Sequence, residues 1–157
     1  MKKIILVIIV LLIIVGGIRF AQGYLNEEKV SILKKTPTIA IADRNFKVIV
    51  ADSQKEQEIG LSETKSLAED QGMIFLFKKP DYYSFWMKKM KFPIDIIFIN
   101  NDTIVSIENN AQAPKDDNEN LIVYTPAGPS DKVLEIQAGL AKKYNFKNGD
   151  KIKIEGI

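Results

Sequence analysis

The chain has 157 residues, no cysteine and no histidine, and a formal charge of +2. These absences exclude disulfides, thiolate and imidazole catalysis and the usual zinc, copper or haem ligand sets, leaving carboxylates, hydroxyls, lysines and carbonyls as the available chemistry. Lys2, Lys3 and Arg19 flank an apolar N-terminal run, and without them 19 basic residues face 20 acidic ones, a balance that argues against nucleic acid as a partner.

Ile4 to Ile18 is a run of Ile, Leu and Val broken only by Gly16 and Gly17. As a helix it rises roughly 22 Å, and Arg19 can snorkel so that Phe20 and Ala21 extend it toward the roughly 30 Å hydrocarbon core. Residues 1–23 therefore read as a targeting segment. An uncleaved signal anchor, a single transmembrane helix, is favoured over a removed signal peptide, because neither Gly16-Gly17-Ile18 nor Arg19-Phe20-Ala21 is a clean cleavage site. Lys2 and Lys3 stay on the cytoplasmic side, which places the remainder outside at the cell envelope, or secreted or periplasmic if the segment is cleaved. Residues 24–37 are a polar linker closed by Pro37. Residues 38–157 have the size of one domain with one core.

Within that domain, Thr38 to Ile41 and Phe46 to Ala51 read as a hairpin through the turn at Ala42-Asp43-Arg44-Asn45. Ser53 and Glu56 form a capping box that starts a helix running to about Leu61, and Ser66 to Glu69 repeats the signature for a shorter turn. Met73 to Phe77, an unbroken apolar run, reads as a strand buried on both faces. Phe85 to Lys88 and Ile94 to Asn100 alternate two faces. A hairpin pairing Phe85 with Ile96 and Met87 with Ile94 sets Trp86 opposite Asp95, with Ser84 and Lys88 beside them. Thr103 to Ile107 follows as the next strand, then a polar, acidic loop from Glu108 to Asn120. Strands at Leu121 to Thr125 and Lys132 to Ile136, a short helix from Ala138 to about Tyr144, and a last strand from Lys151 to Ile154 complete the domain. With too few helices to cover a parallel sheet, the expected fold is β-rich and mostly antiparallel, a β-sandwich or partly closed β-barrel with two or three short helices.

In order along the chain, Glu58-Ile59-Gly60-Leu61, Gly72-Met73-Ile74-Phe75, Ser84-Phe85-Trp86-Met87-Lys88, Ile94 to Ile99, Val133-Leu134-Glu135-Ile136 with Ala138-Gly139, and Asn148-Gly149-Asp150 stand as in the domain of unknown function 192 family. The chain resembles that family over roughly Phe46 to Ile154. The resemblance implies a compact β-rich, exported or membrane-tethered domain and no established activity. The chain departs from the family pattern at Gly60-Leu61-Ser62, where the family often reads Gly-Leu-Met, and at Lys88-Lys89-Met90, where it reads Lys-Asn-Thr.

Three functional readings follow. In the first, the domain is a ligand- or partner-binding module: Trp86 supplies a stacking surface, Ser84 and Asp95 polar grip and Lys88 charge, suited to a small polar or carbohydrate ligand. In the second, an envelope hydrolase or lyase uses Asp95 and Glu135 as a carboxylate pair. In the third, a purely structural interaction domain, Asp95 pairs with Lys88 or accepts backbone amides, Glu135 is solvated and Trp86 caps the core. No cofactor or metal is expected: Lys78, Lys79, Lys88, Lys89 and Lys91 read as solvated turns, and Asp116-Asp117-Asn118-Glu119 as an acidic loop whose neighbouring residues cannot all converge on one calcium ion.

Overall fold

The computed structural model describes residues 14, 16–19, 36–116 and 121–157. Residues 1–35 and 36–157 form two separate units. In the first, the described residues 14 and 16–19 are helical, and most of the targeting segment, residues 24–35 of the linker and residues 117–120 of the acidic loop lie outside the described residues. Among the described residues no helix is long and apolar enough to cross a membrane.

The second unit is built from β1 (Thr38–Ile41), β2 (Arg44–Ala51), α1 (Gln54–Ile59), β3 (Gln71–Asp81), β4 (Phe85–Trp86), β5 (Ile94–Asn100), β6 (Thr103–Ala111), β7 (Val123–Tyr124), β8 (Ser130–Gln137), α2 (Leu140–Lys143) and β9 (Ile152–Glu155). Seven strands form one sheet in the order β6-β5-β8-β3-β2-β1-β9, and β4 and β7 form a separate two-stranded ribbon. The β2–β3 pair is parallel, with α1 in the crossover, and every other pairing is antiparallel. The sheet curls into a half-barrel whose outermost strands touch: Thr103 bridges Lys151, and backbone bonds of 2.9 Å from Ile104 to Asp150 and 2.8 Å from Ile152 to Asp102 join β6 to the approach of β9.

Both faces of the sheet are apolar. Ile39, Phe46, Ile74, Ile97, Ile104, Leu134, Ile136 and Ile152 fill the inner face together with Leu140 and Ala141 of α2. Met73, Phe75, Ile94, Ile96, Phe98 and Val133 point outward, where Leu61, Leu67, Met87 and Met90 cover them. This two-sided burial explains why β5 is apolar at every position but Asp95 and its terminal Asn100 and why Met73 to Phe77 does not alternate.

The register corrects one expectation. β5 does not pair with the Phe85–Lys88 segment, because its two sides are occupied by β6 and β8. β4 shrinks to two residues, and Phe85 and Trp86 pair with Tyr124 and Val123 of β7. Trp86 is therefore not opposite Asp95. The segment expected as loop from Glu108 continues as β6 to Ala111, carrying a bulge where the register skips between Ile94–Ala111 and Ile96–Glu108.

Candidate functional site

Asp95 and Glu135 sit one register step apart on adjacent strands, since Asp95 faces Ile136 and Ile96 faces Glu135. Alternation sends them to opposite faces. Asp95 shares the inner face with Ile97 and Ile99, Glu135 the outer face with Val133, so the structure does not bring this carboxylate pair together.

Asp95 is fully buried and fully engaged. Its Oδ1 accepts backbone N–H bonds from Asn110 at 2.8 Å and Gly139 at 3.0 Å, and its Oδ2 accepts one from Ala141 at 2.8 Å. Asn110 belongs to the β6 bulge and has a φ of 57°; Gly139 precedes α2 with a φ of 84°. One carboxylate thus ties the first turn of α2 and the bulge to the middle of the sheet, the amide-accepting role of the third reading. It is not part of a ligand site with Trp86.

Glu135 has a different environment. Only 5% of it is exposed, its Oε2 is sealed from solvent without a hydrogen-bond donor, and burial pushes its carboxyl pKa up to about 8. It is not solvated, in contrast to the structural reading. Its position depends on Gly72 of β3: a Cβ there would stand 2.8 Å from the Glu135 carbonyl oxygen, so only glycine lets β3 approach β8 this closely.

Glu135 lies on the wall of a cavity of about 820 Å³, together with α1 and its following turn, β3, β4 and the turn after it. Five rings line the cleft: Phe75, Phe77, Tyr83, Phe85 and Trp86. The first four interlock, with Phe77 stacked on Tyr83 at a centroid distance of 3.7 Å and Phe85 edge-on to Phe75 at 5.0 Å, to Phe77 at 6.4 Å and to Phe98 at 5.9 Å. Such contacts fix a rigid apolar wall. Trp86 is 58% exposed, so it does not cap the core, and the Lys88 Nζ stands 5.6 Å from its ring centroid. Ser84, Trp86 and Lys88 all line the cleft; of the four expected ligand-binding residues only Asp95 lies elsewhere.

Most of the cleft's uncharged polar groups are already engaged. Gln57 donates to the Leu76 and Ala51 carbonyls, Tyr83 to the Lys79 carbonyl, Ser62 to the Ile59 carbonyl, and Ser84 shares a 3.1 Å contact with Thr125. The charged lining residues Glu58, Glu63, Lys88 and Lys89 are all exposed. Among the described residues no three acidic side chains gather as a metal site.

Residues 37–154 match the model of the DUF192 family, described as an uncharacterized ACR. A crystal structure from Novosphingobium aromaticivorans DSM 12444, of a protein of unknown function, is similar with a TM-score of 0.64 and 37% identity, over 74% of this chain and 82% of that one. A second, from Sinorhizobium meliloti 1021, described as a proposed transcription regulator, has a TM-score of 0.65 and 29% identity over 77% of this chain and 93% of that one. No curated protein matches the chain.

Proposed function

The chain belongs to the DUF192 family, and from that premise we propose that its β-rich domain is an extracytoplasmic binding module that holds a small organic ligand in the aromatic cleft, tethered to the membrane by residues 1–23. The observation that carries this reading is the cleft itself: a cavity of about 820 Å³, within the usual range for small-ligand sites, with a rigid aromatic wall, an exposed tryptophan at its rim and a buried acid without a partner. Apolar grooves with aromatic side chains at the rim are a recurrent form of ligand-binding site. The Sinorhizobium relative is described as a proposed transcription regulator, but direct nucleic-acid binding is not the reading taken for this chain, because its charge beyond residue 19 is balanced.

The test uses Trp86, the only tryptophan. The full-length chain is titrated with pools of sugars, amines, amino acids and short peptides while Trp86 emission is followed. The expected outcome is a saturable change from at least one pool, with binding of that ligand, measured by calorimetry because the variant has no tryptophan, weakened about tenfold or more by Trp86→Ala, the loss of roughly 1.4 kcal/mol of stacking. A flat response to every pool removes the proposal.

A further inference from the structure

Of the polar side chains that line the cleft, Glu135 alone is buried. It stands between Met73 of β3 and Ile96 of β5 in the register, neither of which donates a hydrogen bond. The nearby uncharged groups spend their donors on backbone carbonyls, as the Gln57 bond of 2.8 Å to Leu76 and the Tyr83 bond of 3.0 Å to Lys79 show. Leaving a carboxyl oxygen unsatisfied in such a place is costly, and the fold retains it at the wall of a cavity rather than within a packed core.

The charges around the acid also constrain its partner. α1 and the turn after it contribute Glu58 and Glu63, and the turn after β4 contributes Lys88 and Lys89. β3 contributes only Phe75 and Phe77, and β8 only Glu135. The two exposed acids and two exposed lysines balance, so the unmatched charge of the cleft is that of an ionised Glu135. The aromatic lining suits a cation, as the Lys88 Nζ at 5.6 Å from the Trp86 ring centroid illustrates, and the inner wall offers a single polar group, too few to satisfy the several hydroxyls of a polyol.

We propose that the cleft receives a primary ammonium group, with Glu135 as its inner anchor and the aromatic wall holding the ligand's hydrocarbon or ring body. This rests on the reading of the cleft as a small-ligand site. Binding exchanges a proton: Glu135, protonated at neutral pH in the empty cleft, releases it as the ammonium ion enters.

2-Phenylethylamine and 2-phenylethanol, which match in shape, test this on the full-length chain by Trp86 emission and calorimetry. The amine should bind about tenfold more tightly for each pH unit between 6 and 8 and level off above, release close to one proton at pH 7, and lose at least tenfold in affinity in Glu135→Gln. The alcohol should bind weakly at every pH. Equal binding of the two, amine binding that fails to tighten between pH 6 and 8, or amine binding unchanged in Glu135→Gln overturns the ammonium assignment; weakening is expected only at about pH 10, where the ligand's own ammonium loses its proton. The proton release is read on the unmodified chain and decides the matter even if the variant does not fold. Saturation by non-amine pools alone sinks this assignment and leaves the cleft reading intact; silence from both probes and every pool sinks both.

Discussion

Asp95 and Glu135 are two buried carboxylates in one sheet with opposite consequences. Asp95 accepts three backbone N–H bonds, at 2.8, 3.0 and 2.8 Å. Asp95→Asn turns one acceptor into a donor that confronts a backbone N–H, and should destabilise the fold by roughly 3 kcal/mol while leaving affinity for any cleft ligand unchanged. Urea unfolding beside the Trp86 titration checks both halves. Glu135 instead lowers stability when ionised. Below its ordinary value of 4.5 it is protonated in the folded and unfolded chain alike; between there and about 8 only the folded chain keeps the proton. Stability should therefore fall as pH rises through that window, by about 1.4 kcal/mol per unit at most, and level off above it. The exposed carboxylates Glu56, Glu69, Asp70 and Asp102, held below their ordinary range by hydrogen bonds and neighbouring lysines, act with the opposite sign and only at lower pH. Glu135→Gln should match the parent near pH 4 and exceed it at pH 9 by an amount on the order of 4 kcal/mol. Denaturant midpoints at those two values decide it, and an undiminished slope in the variant would place its origin elsewhere. The sequence marks both acids as unusual because each interrupts an apolar strand. It does not tell them apart, since that depends on one step of register that sends one inward to amides and the other outward to rings.

Strands were legible wherever their apolar pattern was long. β1, β5 and the centres of β2, β3, β6, β8 and β9 lie where periodicity puts them, and the Ser53–Glu56 capping box starts α1 as written, with both reciprocal bonds present. The expected β4–β5 hairpin does not form, because short-range alternation does not reveal that β5 has β6 and β8 as its two neighbours. The extension of β6 through Glu108, Asn109 and Asn110 was hidden because a bulge carrying polar residues looks like loop. Turn chemistry supplies a test at this scale. Ala42, at the first central position of the two-residue β1–β2 turn, has a φ of 52°, a conformation that costs a side-chain-bearing residue roughly 1–2 kcal/mol. Ala42→Gly relieves it against the greater unfolded-state freedom of glycine, so a gain of a few tenths to about 1 kcal/mol is expected, read as a higher denaturant midpoint. Gly72→Ala should do the reverse. Its Cβ meets the Glu135 carbonyl at 2.8 Å and the Leu134 side chain at 3.2 Å, and the forced separation of β3 from β8 should cost about 1–3 kcal/mol. Because that same contact sets where the Glu135 side chain meets the cleft, Gly72→Ala should also weaken any cleft ligand, an effect that Ala42→Gly should not have.

At the scale of the whole molecule, the folded domain and the N-terminal segment are separate units. The half-barrel's terminal strands β6 and β9 meet at one end, through the Thr103–Lys151 bridge, and such contact covers part of an edge otherwise open to strand-to-strand association. Fifteen residues from Ile4 to Ile18 carry no charged side chain, and the proposed anchor places them in a bilayer, the solvent that accepts such a run. Lys2 and Lys3, with no acid before Glu27, then set the orientation. The expected outcome is that the chain sediments with membranes, resists extraction by alkaline carbonate, and is digested by protease added outside intact spheroplasts. Lys2→Glu with Lys3→Glu should reduce the externally digested fraction, whereas cleavage of the segment would appear as a released product lacking about the first 20 residues. Recovery of the unprocessed chain in the soluble cytosolic fraction would contradict both the anchored and the cleaved forms. It would also move the cleft's ligand from the envelope to the cytosol, while leaving the geometry around Glu135 and Trp86 as it stands.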